Sequence, residues 1–228
     1  VIPESLAFNS VRDALDFDCD VYLAAMWAPI VGVHIPDNSV IYNLEPLNDT
    51  CRSFTLGYLD TLRRCRVLDY DRKNVDYLSS FGISAFHLPY RYHDSLARTP
   101  KAEKTIDYLL VGSVNPRREQ IVYDLRKYFN IVWVTGAYGA ALDALVDMSK
   151  VCLNIHYLDD HPLEVVRLNY LMASHATIVT EPGNDPTVND DYSKGVYMET
   201  EQFADAMDYA LTHPLDGSHV IQSMRMDC

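Results

Sequence analysis

The sequence predicts an α/β protein with parallel sheets, arranged as two lobes, and three observations lead to that class. Short apolar runs of strand length alternate with segments of helical period. Glycine, proline and polar turn residues stand where the runs end. Composition and charge balance shift near residue 100, dividing a short lobe (1–100) from a second one (101–228).

The stretch 150–181 shows the repeating unit most plainly. Val151 to Ile155 is a strand-length apolar run, His156 to Pro162 a polar turn, and Leu163, Val166, Tyr170 and Ala173 mark one stripe of a helix. Thr177 to Thr180 is the next strand. Upstream in this lobe, 106–111 is predicted as a strand and Arg117 to Phe129 as a helix. Ile131 to Thr135 is a strand and Ala140 to Met148 a helix. Gly183 to Tyr192 reads as a polar loop, and Thr200 as the cap of a final helix Glu201 to Leu211, stopped by Pro214.

The first lobe reads as a helix over Phe8 to Leu15 and strands at Val21 to Ala25 and Val40 to Tyr42. A helix Phe54 to Arg64 and a strand Arg66 to Leu68 follow. Asp71 is placed to cap a helix Arg72 to Phe81, with Gly82 ending it, before a last short strand at Ala85 to Leu88. Tyr90 to Lys104 lacks periodicity and is predicted to link the lobes. No repeat, heptad or low-complexity tract is present.

Apolar content of 48% and charged content of 22% are those of a globular chain, and Val21 to Pro36, broken by Pro29 and Gly32, is too short to span a bilayer. The five cysteines (Cys19, Cys51, Cys65, Cys152, Cys228) form no close pairs. They argue against a disulfide framework or zinc knuckle and for a reducing, cytoplasmic setting. The chain begins at Val1, so native N-terminal sequence is expected to be missing. Residues 105–228 carry 8 basic against 18 acidic side chains, within a net charge of −13, which disfavours wrapping by nucleic acid. Arg63, Arg64, Arg66, Arg72 and Lys73 form the basic cluster of the first lobe.

Three strand ends of the second lobe carry residues suited to a nucleotide. Gly112 and Ser113 allow close backbone approach, and Arg117 and Arg118 follow at a helix start. Gly136 and Gly139 bracket Tyr138, a loop able to seat a flat base. Asn154, His156 and Tyr157 leave the third strand, with Glu164 and Arg167 three residues apart on the next helix. Arg167 suits a phosphate and Glu164 suits ribose or sugar hydroxyls, the plain alternative being a surface ion pair beside a polar loop. The 135–140 run lacks G-x-G-x-x-G spacing, and no acid closes the following strand, so a dinucleotide site ranks low. His156 and His161 lie five apart beside Asp159 and Asp160, a spacing that fits no finger or helical metal pattern and reads as a hydrated loop. Serine-hydrolase, P-loop and zinc-peptidase motifs are absent.

LLVGSVNPRREQIVYDLRKYF (109–129), GAYGAALDALVDMSKVCLNIHY (136–157) and LEVVRLNYLMASHATIVTEP (163–182) resemble the donor-binding lobe of small GT-B glycosyltransferases of the "glycosyl transferases group 1" kind. VIYNLEPL and LDYDRKNVDYLSSFGI resemble that family more loosely. The resemblance implies two Rossmann-like lobes facing a cleft, with a nucleotide sugar (a UDP-sugar) held by the second, a hydroxyl acceptor by the first, and no metal. It places Gly112 and Arg117 at the diphosphate, Tyr138 at the base, and Glu164 and Arg167 at ribose, phosphate or sugar. Arg117, Arg118 and the following helix start would then stabilise charge on the departing diphosphate. Tyr170 stands where many relatives place a glutamate, and the first lobe has room for about four strands.

An inverting reaction needs a base, for which His34, Glu45 and Asp69 are equal candidates. The acceptor is expected to be a saccharide or glycan. A hydroxymethylated base in DNA is the alternative, since some small relatives are virus-encoded and resemble enzymes that glycosylate such bases. Rival readings are a catalytically degenerate nucleotide-binding or scaffold protein of this fold, and an NAD(P)-linked oxidoreductase.

Overall fold

The computed structural model describes residues 21–24, 35–37, 39–47, 56–90, 92, 96–99, 102–199, 201–215 and 217. The expected helix at Phe8 to Leu15, and His34, lie outside these residues. The chain forms two compact units that divide between Tyr90 and Arg91, ahead of the expected boundary near 100. Arg98 supplies the reason. Its backbone N–H donates to Ala173 O at 2.9 Å, and its guanidinium binds Asp143, Asp147 and Tyr170 Oη, tying the expected linker to the second unit.

In the first unit, β1 (Val21–Ala24), β2 (Val40–Asn43), β3 (Arg66–Asp69) and β4 (Ala85–His87) pair in sequence order, all parallel. Helix α1 (Leu56–Arg64) precedes β3, and α2 (Arg72–Ser80) follows it. Ile35, Ile41, Tyr58, Leu59, Leu62, Val67 and Leu78 make the core. The caps of α2 are as expected: Asp71 accepts from Lys73 N–H, and Gly82 (φ 70°) and Ile83 donate back to Ser79 and Leu78. The expected basic cluster is divided. Arg63, Arg64 and Arg66 stand at the amino end of β3 and Arg72 and Lys73 beyond its carboxyl end, with Arg63 paired to Asp60 and Arg64 to Asp37.

The second unit contains β5 (Ile106–Val111), α3 (Pro116–Leu125), β6 (Ile131–Val134), α4 (Gly139–Asp147), β7 (Ser149–Asn154) and α5 (Val165–Ala173). It continues through β8 (Thr177–Thr180), α6 (Pro186–Tyr192), β9 (Tyr197–Met198) and α7 (Phe203–Thr212). The sheet order is β6-β5-β7-β8-β9, all parallel. Alternate residues of one strand serve opposite faces. Tyr108 and Leu110 join Val122 and Leu125 of α3 and Phe203 and Met207 of α7 in one core. Leu109 and Cys152 face α4 and α5 across a cavity of ≈ 50 Å³. Burial on both faces is why these strands are nearly continuous apolar runs.

Several expectations need correction. Helix α3 starts at Pro116, capped by Asn115, and ends at Leu125 rather than Phe129. The stripe expected on α5 holds only in part: Leu163 and Ala173 are buried and Val166 and Tyr170 half-buried, while Val165, Leu168, Asn169, Leu171 and Met172 are buried as well. The loop expected at 183–192 contains α6, capped by Asp185 with Pro186 in its first turn. Helix α7 begins at Phe203, two residues late, with Gln202 at the cap position and no side-chain cap bond; Thr200 lies outside the described residues. No helix among the described residues is long and apolar enough to cross a membrane.

Candidate functional site

The order β6-β5-β7 makes the carboxyl ends of β5 and β7 a topological switch point, where chain connections leave in opposite directions. Gly112 follows β5 with φ 153°, held by its N–H to Val134 O at 3.0 Å and by Trp133 Nε1 to its carbonyl at 3.0 Å. A Cβ there would sit 2.8 Å from Arg118 Nη1, so the glycine makes room for this guanidinium. Asn115 caps α3 by accepting from Arg118 N–H at 2.8 Å and donates to Tyr157 O.

Arg118, 2% exposed, crosses the switch point. It donates to Ile155 O at 2.9 Å and Ser113 O at 3.1 Å, pairs with Glu164 at 3.5 Å and lies over the Tyr157 ring. Burial lowers its pKa from the ordinary value, partly opposed by Glu164. Arg117 makes a two-pronged bond to Glu181, at 2.6 and 3.1 Å, and also donates to His156 O and to Asp159. The Glu181 bond is the main reason its pKa is raised.

The loop from β7 to α5 is folded inward. His156 is 2% and His161 9% exposed, and their rings stack at 5.4 Å, so the two histidines of the loop expected to be hydrated lie in the interior, while Asp159 and Asp160 are exposed as expected. His156 N–H donates to Glu181 at 2.6 Å, and burial pushes its imidazole pKa down. Glu164 occupies the N-cap position of α5, with its side chain bonded to Arg167 rather than to the helix N–H groups. Burial works to raise its pKa, but Arg167, His156, Arg118 and His161 together outweigh it and hold the carboxyl below its ordinary value. Asn154 is fully buried, donating to Thr180 Oγ1 at 2.8 Å and accepting from Arg167 at 2.8 Å.

The second unit thus brings together Gly112, Ser113, Arg117, Arg118, Asn154, His156, Tyr157, Glu164 and Arg167. Two roles change. Arg118 is enclosed by carbonyls and Glu164, and Asn154 orients Arg167 from below; neither is open to a ligand. Three arginines (117, 118, 167) are matched by three carboxylates (Asp159, Glu164, Glu181), which weakens the positive field the arginines alone would project. Gly136 (φ 69°) and Gly139 (φ 54°) turn the next loop at the end of β6, where Tyr138 is 76% exposed. A groove of ≈ 660 Å³ runs instead along α3, lined by Val114, Tyr123, Arg126 and Trp133.

Sequence reasoning missed Glu181 and Asn115. Glu181 is a signal that was present, an acid closing a strand, but its partner Arg117 is 64 residues away.

Of the base candidates, Glu45 is half-buried just beyond the carboxyl end of β2. Asp69 is fully buried and accepts from Asn43 at 2.8 Å, Asn74 at 3.0 Å and Asp71 N–H at 2.9 Å, which makes it a hub between β2, β3 and α2 rather than a base facing an acceptor. Burial raises its pKa to about 7, against those three hydrogen bonds. An acid with a raised folded-state pKa holds its proton more tightly when folded. Its contribution is therefore complete below the ordinary value of 3.8 and is lost as pH rises through about 7. Between about pH 5 and about pH 8 the unfolding temperature of the native chain is expected to fall relative to Asp69→Asn; parallel pH profiles would refute the assignment.

The chain matches no protein-family model and no curated protein sequence.

Proposed function

We propose that the second unit binds a nucleotide sugar, a UDP-sugar in the leading form, and that the protein is a GT-B-type glycosyltransferase acting on a hydroxyl acceptor. The acceptor is a saccharide or glycan, or alternatively a hydroxymethylated base in DNA. In this reading the first unit serves the acceptor, Glu45 and His34 stand as the base candidates, and transfer requires no metal. The observation that carries the reading is the convergence at the switch point of the Gly112 turn, the N-terminus of α3 and the half-exposed Arg167, with Glu164 beside it. Such a junction provides backbone N–H groups for a pyrophosphate and a carboxylate for sugar hydroxyls.

A second reading, nucleotide binding without turnover, is favoured by one specific feature: Arg117 is already held by Glu181 at two points. A thermal-shift panel of nucleotide sugars, followed by mass detection of released nucleotide, separates the two. A saturating donor is expected to raise the unfolding temperature by about 5 °C or more. Arg167→Ala and Glu164→Ala are expected to abolish the shift. Release of nucleotide supports the transferase; a shift without release supports the binder; no shift with any donor removes both.

A further inference from the structure

We infer that His156, His161 and Glu164 form a binding site for a divalent transition metal of the zinc class, which pins the loop between β7 and α5. One ligating atom from each of the three residues lies within 4.8 Å of the other two. Proximity is the weaker half of the argument. The stronger half is the state of the two imidazoles.

His161 Nδ1 lies 2.7 Å from Pro162 O, and His156 Nε2 lies 3.1 Å from Pro182 O. A carbonyl oxygen only accepts, so each of these nitrogens carries the proton. In the neutral ring the other nitrogen then bears a lone pair: Nε2 on His161 and Nδ1 on His156. His156 Nδ1 is buried without any hydrogen-bond partner, an arrangement that is costly unless something accepts that lone pair. A backbone carbonyl taking the far N–H of each histidine is the usual second layer of a metal-binding imidazole, fixing tautomer and ring orientation.

The donor set is two imidazole nitrogens and a carboxylate, which suits zinc, with a water completing four-coordination. Tetrahedral zinc needs its ligand atoms about 3.3 Å apart, so the three side chains must draw in by at most roughly an ångström and a half. Glu164 can supply Oε1, which faces Arg118 at 3.5 Å, while Oε2 keeps Arg167. Arg118 and Arg167 oppose a cation here, and Glu181, bonded to the His156 N–H, favours it. The inference shares Glu164 with the nucleotide-sugar reading but does not rest on it: the metal organises the loop and takes part in no transfer step.

The test uses the whole chain after chelation, with zinc alone and no nucleotide. Calorimetric titration is expected to show one zinc per chain. His161→Ala and Glu164→Gln are each expected to weaken it at least about tenfold, and His213→Ala, on the exposed end of α7, to leave it unchanged. Should either variant fail to fold, ¹⁵N spectra of the native chain decide. Zinc is expected to shift His156 Nδ1 and His161 Nε2 and to spare the other histidines. No stoichiometric binding by the folded chain, equal affinity in folded variants, or shifts confined to other histidines would overturn the site.

Discussion

Arg118→Met is expected to destabilise the second unit by about 3–5 kcal/mol, the range for removing one partner of a buried charged pair. Methionine keeps the length and fills most of the volume, so a cavity contributes little. The loss comes from what the guanidinium leaves behind: the carbonyls of Ile155 and Ser113 lose their donor, and Glu164 is left with its ion pair to Arg167. Arg117→Met serves as the comparison. That side chain is 23% exposed, water replaces part of its bonding, and the cost is expected to be about 1–2 kcal/mol. The double variant Arg118→Met/Glu164→Gln is expected to cost less than the sum of the single changes, because the carboxylate stranded by the first is removed by the second. Urea unfolding read at Trp133, in a Trp27→Phe background so that the second unit reports alone, checks all three. A loss below about 1 kcal/mol for Arg118→Met would show that water, not the guanidinium, satisfies those carbonyls.

Gly183→Ala is expected to cost about 3 kcal/mol, at the top of the usual range for overpacking. A Cβ at this position would lie 2.3 Å from Leu163 N, 2.7 Å from Leu163 Cβ and 2.8 Å from Leu163 Cα. Backbone cannot swing aside as a side-chain tip can. Gly183 is itself clamped, its N–H donating to Asn189 Oδ1 at 2.8 Å and its carbonyl accepting from Asn189 Nδ2 at 2.7 Å. The strain therefore passes to buried Leu163 and on to Glu164, the next residue, so ligand binding at the switch point is expected to weaken with stability. Gly136→Ala is the control. A Cβ added there would meet nothing within 4 Å, and only the positive φ resists substitution, at about 1 kcal/mol. Equal unfolding midpoints for the two variants would refute the close-approach argument.

Much of the architecture was legible because it rests on local patterns. The run 106–111 coincides with β5, and Thr177–Thr180 with β8, since apolar residues on both faces mark a strand within a parallel sheet. Asp71 and Gly82 announced both ends of α2 through caps that involve only neighbouring residues. The failures have a common physical origin as well. Asn115-Pro116 and Asp185-Pro186 suit a turn and a helix start equally, and only packing of the following residues chooses the helix. The stripe assigned to α5 held only in part because the helix buries residues on more than one side, including Asn169, which bonds Tyr192 at 2.8 Å.

From its sequence alone this protein is an α/β chain of two lobes, with turn glycines and charged side chains gathered where strands of the second lobe end. Periodicity, capping and glycine placement are properties of adjacent residues, so a linear text carries them. Only the tertiary structure decided what the charged groups are for. It enclosed Arg118, joined Arg117 to a glutamate 64 residues away, and turned the His156 and His161 rings from solvent into the interior. Burial and pairing over such separations depend on where the strands lie in the sheet, and the order β6-β5-β7 sets that for the whole site.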